Sequence, residues 1–191
     1  MGQPYNTFSS FVKQHFGHSV HKVNIDAGFT CPNRDGTVGT GGCTYCNNES
    51  FKPDDCQPSL SVSRQVQNGI SYLSRRYGAE KFLAYFQAYT NTYAPVEKLR
   101  SLYEEAMNEP GVIGLAIGTR PDCIDEAKLD LLEELARKHF VLLEYGVQSI
   151  HEKTLKAINR GHDFNTFKHA VRETNKRGIE TGAHMIVGFP T

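Results

Sequence analysis

Five short stretches that read as strands, at residues 20–25, 82–86, 112–117, 140–145 and 181–187, alternate with stretches of helical periodicity, and this alternation constrains the fold most. Runs of that length suit buried strands, whereas the stretches between them place apolar residues on one helical face. Val62, Val66, Ile70, Leu73 and Tyr77 trace one such face. Leu99, Leu102, Tyr103 and Ala106 trace a second, residues 129–139 read as a third helix and residues 151–159 as a short fourth. Phe167, Ala170, Val171 and Thr174 mark the last helix, closed by Gly178. The later strands recur about every thirty to forty residues, which is one crossover each, so parallel βαβ units with right-handed connections are expected.

Ahead of the first strand, Phe8, Phe11, Val12 and Phe16 predict an amphipathic helix over 7–17, with Gly17 placed to end it. The fold class expected is α/β: a partial (β/α) TIM-like barrel of about five parallel βα units. A complete eight-stranded barrel takes ~250 residues, so the chain is expected to stop before a sixth strand and to lack a C-terminal part.

Composition excludes several classes. With 39% hydrophobic and 22% charged residues, and 21 Lys+Arg against 21 Asp+Glu, the chain is expected to be globular and to show no strongly basic face. No stretch approaches the roughly 20 apolar residues of a membrane span. The N-terminus lacks the basic start and apolar centre of a signal peptide, so a cytoplasmic protein with reduced thiols and no membrane association is expected.

Five cysteines, at 31, 43, 46, 56 and 123, then favour metal binding or catalysis over disulfides. Three of them form C-x11-C-x2-C within CPNRDGTVGTGGCTYC, in a glycine-rich loop over 26–48 that leaves the first strand. In parallel barrels that strand end faces the active site. A short C-x2-C pair grips a soft or borderline metal centre, the longer arm returns a third thiolate, and one coordination position stays open. The alternative is a closed structural zinc site in which Cys56 is the fourth thiolate.

HFGHSVHKV, CPNRDGTVGTGGCTYCN, YFQAYTNTYAP, IGTRPDC, EYGVQS, INRGHDF and HMIVGFP together resemble the uncharacterised bacterial radical S-adenosylmethionine (SAM) proteins related to the radical domain of the Elongator catalytic subunit. The resemblance runs through nearly the whole chain and includes the eleven-residue first interval, which departs from the commoner superfamily spacing. It implies a [4Fe-4S] cluster held by Cys31, Cys43 and Cys46, with SAM chelating the fourth iron. It further implies reductive cleavage of SAM to a 5′-deoxyadenosyl radical that abstracts hydrogen from an unknown substrate, for which the Elongator likeness suggests tRNA or other RNA. An electron donor such as flavodoxin or ferredoxin would supply the cluster.

The strand ends then offer a cofactor pocket, in which the resemblance implies the contacts of Glu144 and Arg160. Glu144, a carboxylate costly in an apolar strand, would contact ribose or the methionine part, with Gln148 following. Its structural alternative is an interior salt bridge to Arg120 or Arg160. Arg160 would grip the methionine carboxylate, or else answer a helix dipole. Gln87 and Thr119 would face the cofactor or serve as turn formers, and Tyr45 would cover one side of adenine. Ile186, with Val187 and Gly188, would form an apolar edge to adenine, or else core strand. His162, His184 and Asp122 are polar groups near strand ends without assigned roles, and no catalytic residue is assigned. Cys123 is close enough in the topology to reach the barrel mouth, and its role and that of Cys56 stay open. Besides the enzyme, a zinc-stabilised four-cysteine binding module and a fragment that binds cofactor without turnover are the competing functions.

Overall fold

The computed structural model describes residues 5, 7–47, 53, 56–189 of the chain. The final residue of the expected 26–48 loop, and residues 190–191 after the fifth run, lie outside these. Helix α1 (Phe8–Phe16) begins where the Thr7 hydroxyl accepts from the Ser10 amide and ends at left-handed Gly17. Strand β1 (His21–Ile25) follows, then the cysteine loop and α2 (Val62–Tyr77), capped by Ser61. The alternation continues through β2 (Phe82–Phe86), α3 (Val96–Met107), β3 (Val112–Thr119), a 3-10 turn at Pro121–Cys123 and α4 (Glu126–Ala136). Strand β4 (Phe140–Gln148), α5 (Glu152–Ala157), α6 (Phe164–Lys176) and β5 (Glu180–Met185) complete it.

The five strands form one sheet in the order β1-β2-β3-β4-β5, every neighbouring pair parallel. Helices joining successive parallel strands cover one face, so that face carries the main core. Ile25, Phe86, Ile117, Leu143 and Tyr145 of the strands meet Val66, Leu99, Tyr103, Leu132 and Ala170 of the helices. Side chains of opposite parity point to the other, concave face. There Tyr85, Ala116 and Leu142 form a small apolar layer against Phe140. His15 and Phe16 of α1 stack edge-on against Phe140, at 4.9 and 5.0 Å between ring centroids, which seats α1 at the N-terminal end of β4. The C-terminal strand ends are left to build a site.

Several boundaries differ from expectation. Strands β3 and β4 run on to Thr119 and Gln148, because the ladder continues through glycine and polar residues after the apolar runs stop. Helix α4 starts at Glu126 rather than 129, since the Asp125 side chain caps it by accepting from the Lys128 amide. Strand β5 ends at Met185, and neither Ile186 nor Val187 is core: they are 38% and 95% exposed.

Candidate functional site

The cysteine loop is fixed at its root by Gln65 of α2. Its side-chain amide donates to the Asp26 carbonyl and its oxygen accepts from the Asp26 amide, both at 2.9 Å. Beyond Cys31 the eleven-residue interval folds into a finger, marked by an antiparallel bridge between Asp35 and Thr40. The Gly42 amide closes the finger on the Asn33 carbonyl at 2.8 Å, which returns Cys43 to the cleft that Cys31 lines. The finger docks on the turn after α5. Thr44 N donates to Ile158 O at 3.1 Å, Asn159 Nδ2 to Gly42 O at 2.8 Å, and Asn33 Nδ2 to Asn159 O at 2.5 Å.

Cys31, Cys43 and Cys46 thereby open onto one cleft of about 310 Å³, within the size range of small-molecule sites. Tyr45, Gln87, Thr119, Glu144, Gln148 and Arg160 line the same cleft. Ile186 is not among its lining residues, and its amide is already committed to the Gln148 carbonyl at 3.0 Å. Three non-glycine residues with positive φ surround this region: Tyr89 (64°) and Gln148 (66°) line the cleft, and Asn159 (54°) holds the finger. Such conformations cost about 1–3 kcal/mol each and cluster at functional sites.

Thr119 illustrates how the lining is polarised. The Thr92 hydroxyl donates to the Cys123 carbonyl at 2.7 Å, so in the 2.6 Å contact between the two threonines Thr119 must be the donor. Its single proton is spent, and only its lone pairs remain for a ligand. Gly146 matters for a different reason: a Cβ there would stand 2.5 Å from Gln148 Nε2 and 2.9 Å from Arg160 Nη2. Glycine lets the Arg160 guanidinium close on the Gly146 carbonyl.

Glu144 lies four residues before the end of β4, and its partners are neither Arg120 nor Arg160. Arg120 holds Asp122 through both oxygens, at 2.9 and 2.7 Å, and donates to the Arg160 carbonyl. Glu144 Oε1 instead pairs with Lys22 Nζ of β1 at 2.5 Å. The ammonium is sandwiched between the Phe8 and Tyr85 rings, at 4.3 and 4.1 Å from their centroids. His184 Nε2 approaches the other oxygen, Oε2, at 3.2 Å. Burial by itself would raise this carboxyl, but nearby His184 and Lys22 more than reverse it and hold it at about 2. The carboxylate therefore stabilises the fold fully above its ordinary value of 4.5, and that contribution is lost as pH falls toward 2.

Removing one partner of a buried pair strands the other charge. Lys22→Met is expected to cost about 3 kcal/mol in urea unfolding at neutral pH, with Lys22→Met/Glu144→Gln recovering most of it. Equal stability of Lys22→Met and the parent chain would exclude the pair.

The remaining thiols sit elsewhere. Cys56 donates to Gln65 Oε1 at 3.3 Å and lines a separate cavity with Val23, Gly69 and Leu73, away from the triad cleft. Cys123 is buried under Thr92 rather than on the cleft, and burial, then Asp122, pushes its thiol up to about 12. His162 is held down to about 4 by burial and by Arg160, so it is neutral at pH 7. Sequence reasoning missed Lys22, Asn33, Tyr89 and Asn159. Lys22, a fixed charge inside the stretch HKVNI that reads as a strand, was the one signal available among them.

Parallel βα units whose strand ends converge with three cysteines on one cleft define a class of cofactor-binding partial barrel. The sequence profile of the Radical SAM superfamily matches residues 33–191, and the chain belongs to that superfamily. Its members are enzymes, and membership implies a [4Fe-4S] cluster and SAM as cofactors. Protein YhcC of Escherichia coli (strain K12) is 45% identical over 186 residues, 97% of this chain and 59% of YhcC. Among solved structures, the archaeal Methanocaldococcus infernus Elp3 with an N-terminal deletion aligns with a TM-score of 0.62 at 21% identity, over 90% of this chain and 38% of that one. Coproporphyrinogen III oxidase (HemN) from Escherichia coli, described as a radical SAM enzyme, aligns with a TM-score of 0.55 at 17% identity, over 90% of this chain and 37% of its own. These two structures carry the fold alone, and the chain spans less than two thirds of the YhcC protein. No helix among the described residues is long and apolar enough to cross a membrane.

The residues present fit those cofactors. Arg160 is 5% exposed, has no carboxylate partner among the described residues, and its Nε has no hydrogen-bond acceptor. A buried cation of this kind needs an anion, and the thiolates of a cluster or a ligand carboxylate supply one. Glu144 is the complementary acceptor on the same cleft, its Oε2 approached by His184 Nε2 at 3.2 Å. No three His, Cys, Asp or Glu side chains among the described residues converge tightly enough to hold a single ion. Each thiolate of a [4Fe-4S] cluster takes a different iron, so the triad does not have to converge on one point.

Proposed function

We propose that this chain forms the cluster- and SAM-binding core of a radical SAM enzyme, with Cys31, Cys43 and Cys46 as cluster ligands. The observation that carries the proposal is the shared cleft: the three triad cysteines open onto the same space as the buried, carboxylate-free Arg160 cation. When bound, the reduced cluster and SAM supply a 5′-deoxyadenosyl radical that takes a hydrogen atom from substrate.

The chain's own residues bind, orient and exclude water. Arg160 offers its guanidinium to a carboxylate, Glu144 Oε2 accepts from a ligand hydroxyl, and Thr119 is limited to accepting. Gln87 and Gln148 present amides from the ends of β2 and β4. Tyr45, whose phenol burial keeps protonated, closes one side against Phe189, 5.7 Å between ring centroids. Ile186 can offer only its side chain, because its amide is taken.

The Elongator likeness makes RNA the substrate class to test first, with flavodoxin or ferredoxin as electron donor and the cytoplasm as the compartment. Retention of bulk tRNA on filters at low salt tests the substrate class, and absence of retention removes it. The decisive experiment is iron, sulfide and zinc analysis after anaerobic reconstitution, with visible spectra before and after SAM. About four irons and four sulfides per chain, with a spectrum perturbed by SAM, is the expected result. One zinc and no iron overturns the proposal.

A further inference from the structure

We infer that Asn33 and Arg160 raise the reduction potential of the cluster from one side, by donating to the Cys43 sulfur from buried positions. The inference rests on the radical SAM function proposed above. Asn33 Nδ2 and Arg160 Nη1 each stand 3.6 Å from Cys43 Sγ, a distance suited to a hydrogen bond to sulfur. They arrive from separate segments, Asn33 from the cysteine finger and Arg160 from the turn after α5. Asn33 is 1% exposed, and its other amide proton is fixed on the Asn159 carbonyl. Arg160 is fixed by the Gly146 carbonyl.

Donors to thiolate sulfur stabilise the more negative, reduced state of an iron–sulfur cluster and so raise its potential. Medium and neighbouring charge decide which of the nearby cations does this most. Arg120 Nη1 lies 4.0 Å from Cys31 Sγ, but Asp122 holds that guanidinium through both oxygens, so Arg120 brings a neutral pair. Arg34 donates to the Cys46 carbonyl at 3.2 Å, yet it is exposed and water screens its charge. Arg160 is both buried and uncancelled among the described residues. The triad is therefore asymmetric, with Cys43 carrying the strongest stabilisation.

The test is an EPR-monitored redox titration of the reconstituted chain without SAM or substrate, on the parent and on Arg160→Met, Arg160→Lys, Asn33→Asp and Arg34→Met. Arg160→Met is expected to shift the reduction equilibrium at least tenfold toward the oxidised cluster, ~59 mV for one electron. Asn33→Asp, which replaces a donor by a negative charge at constant shape, should shift it in the same direction. Arg160→Lys should recover part of the loss, and Arg34→Met should move it less than threefold. Midpoints of Arg160→Met and Asn33→Asp within twofold of the parent, at equal iron content, overturn the inference and leave the radical SAM function standing. A parent chain that holds no four-iron cluster is a different result and removes that function itself. If Arg160→Met does not retain iron, Asn33→Asp decides.

Discussion

Cys43→Ala is expected to lower the iron of the reconstituted chain from about four per chain to near none, whereas Cys56→Ala should leave it nearly intact. Cys43 is buried at the return of the finger and opens on the triad cleft, where Asn33 and Arg160 both address its sulfur. Without it, only two thiolates remain for a cluster that needs three. Cys56 faces Gln65 in a cavity behind β1, so its loss removes a small buried side chain and no ligand. Iron and sulfide analysis with a visible spectrum distinguishes the two variants. Equal loss of metal from both, with zinc rather than iron in the parent, is the result that a four-thiolate site gives, and it would exclude the three-cysteine assignment.

Gly161→Ala should destabilise the chain by about 3 kcal/mol and weaken cluster retention together. Gly161 has φ +77°, a left-handed conformation that costs an L-residue about 1–2 kcal/mol. A Cβ at this position would also stand 2.9 Å from both Asn33 Oδ1 and Val38 Cγ1, atoms of the finger that carries Cys43. Overpacking of that kind adds about 1–3 kcal/mol: exposed Val38 can rotate away, but buried Asn33, which docks the finger on Asn159, has to shift. For a chain of this size a loss of ~3 kcal/mol lowers Tm by about 6–12 °C. Gly17→Ala is the control. Gly17 has φ +76° with nothing within 4 Å of its Cβ, so it should show the backbone cost alone and full iron content. Equal effects of the two variants would mean that the turn does not support the finger.

The repeating unit was legible because strands and helices expose their burial in different periods. Residues 82–86 were read as a strand to the residue, since all five are buried on a fully covered strand and form an unbroken apolar run. Strands β3 and β4 were read short for the opposite reason. Their last residues, Gly118 and Thr119, and Gly146 and Gln148, line the cleft, where the ladder persists but the residues face open space instead of core. The triad spacing was likewise plain, and all three cysteines lie on one cleft with six of the seven strand-end and loop residues singled out for the cofactor.

The partners of those residues were not legible. Glu144 stood out as a misplaced charge, but the obvious arginines were the wrong cations, because Arg120 is turned back onto Asp122 within its own 3-10 turn. Lys22 lies 122 residues away and reaches Glu144 only because both occupy the concave face of strands separated by β2 and β3. Asn33 and Asn159 carried no signal as single asparagines in glycine-rich turns; their role exists only in the docking of finger on turn.

The sequence by itself determined the βα repeat, the thiolate triad and the positions of the polar strand ends, since each is a local pattern of period, spacing or misplaced polarity. The tertiary structure alone decided which charges meet, which arginine stays uncancelled and which sulfur receives its donors. Those are contacts between segments distant in the chain, and their energies depend on burial and on competing partners that no local pattern contains.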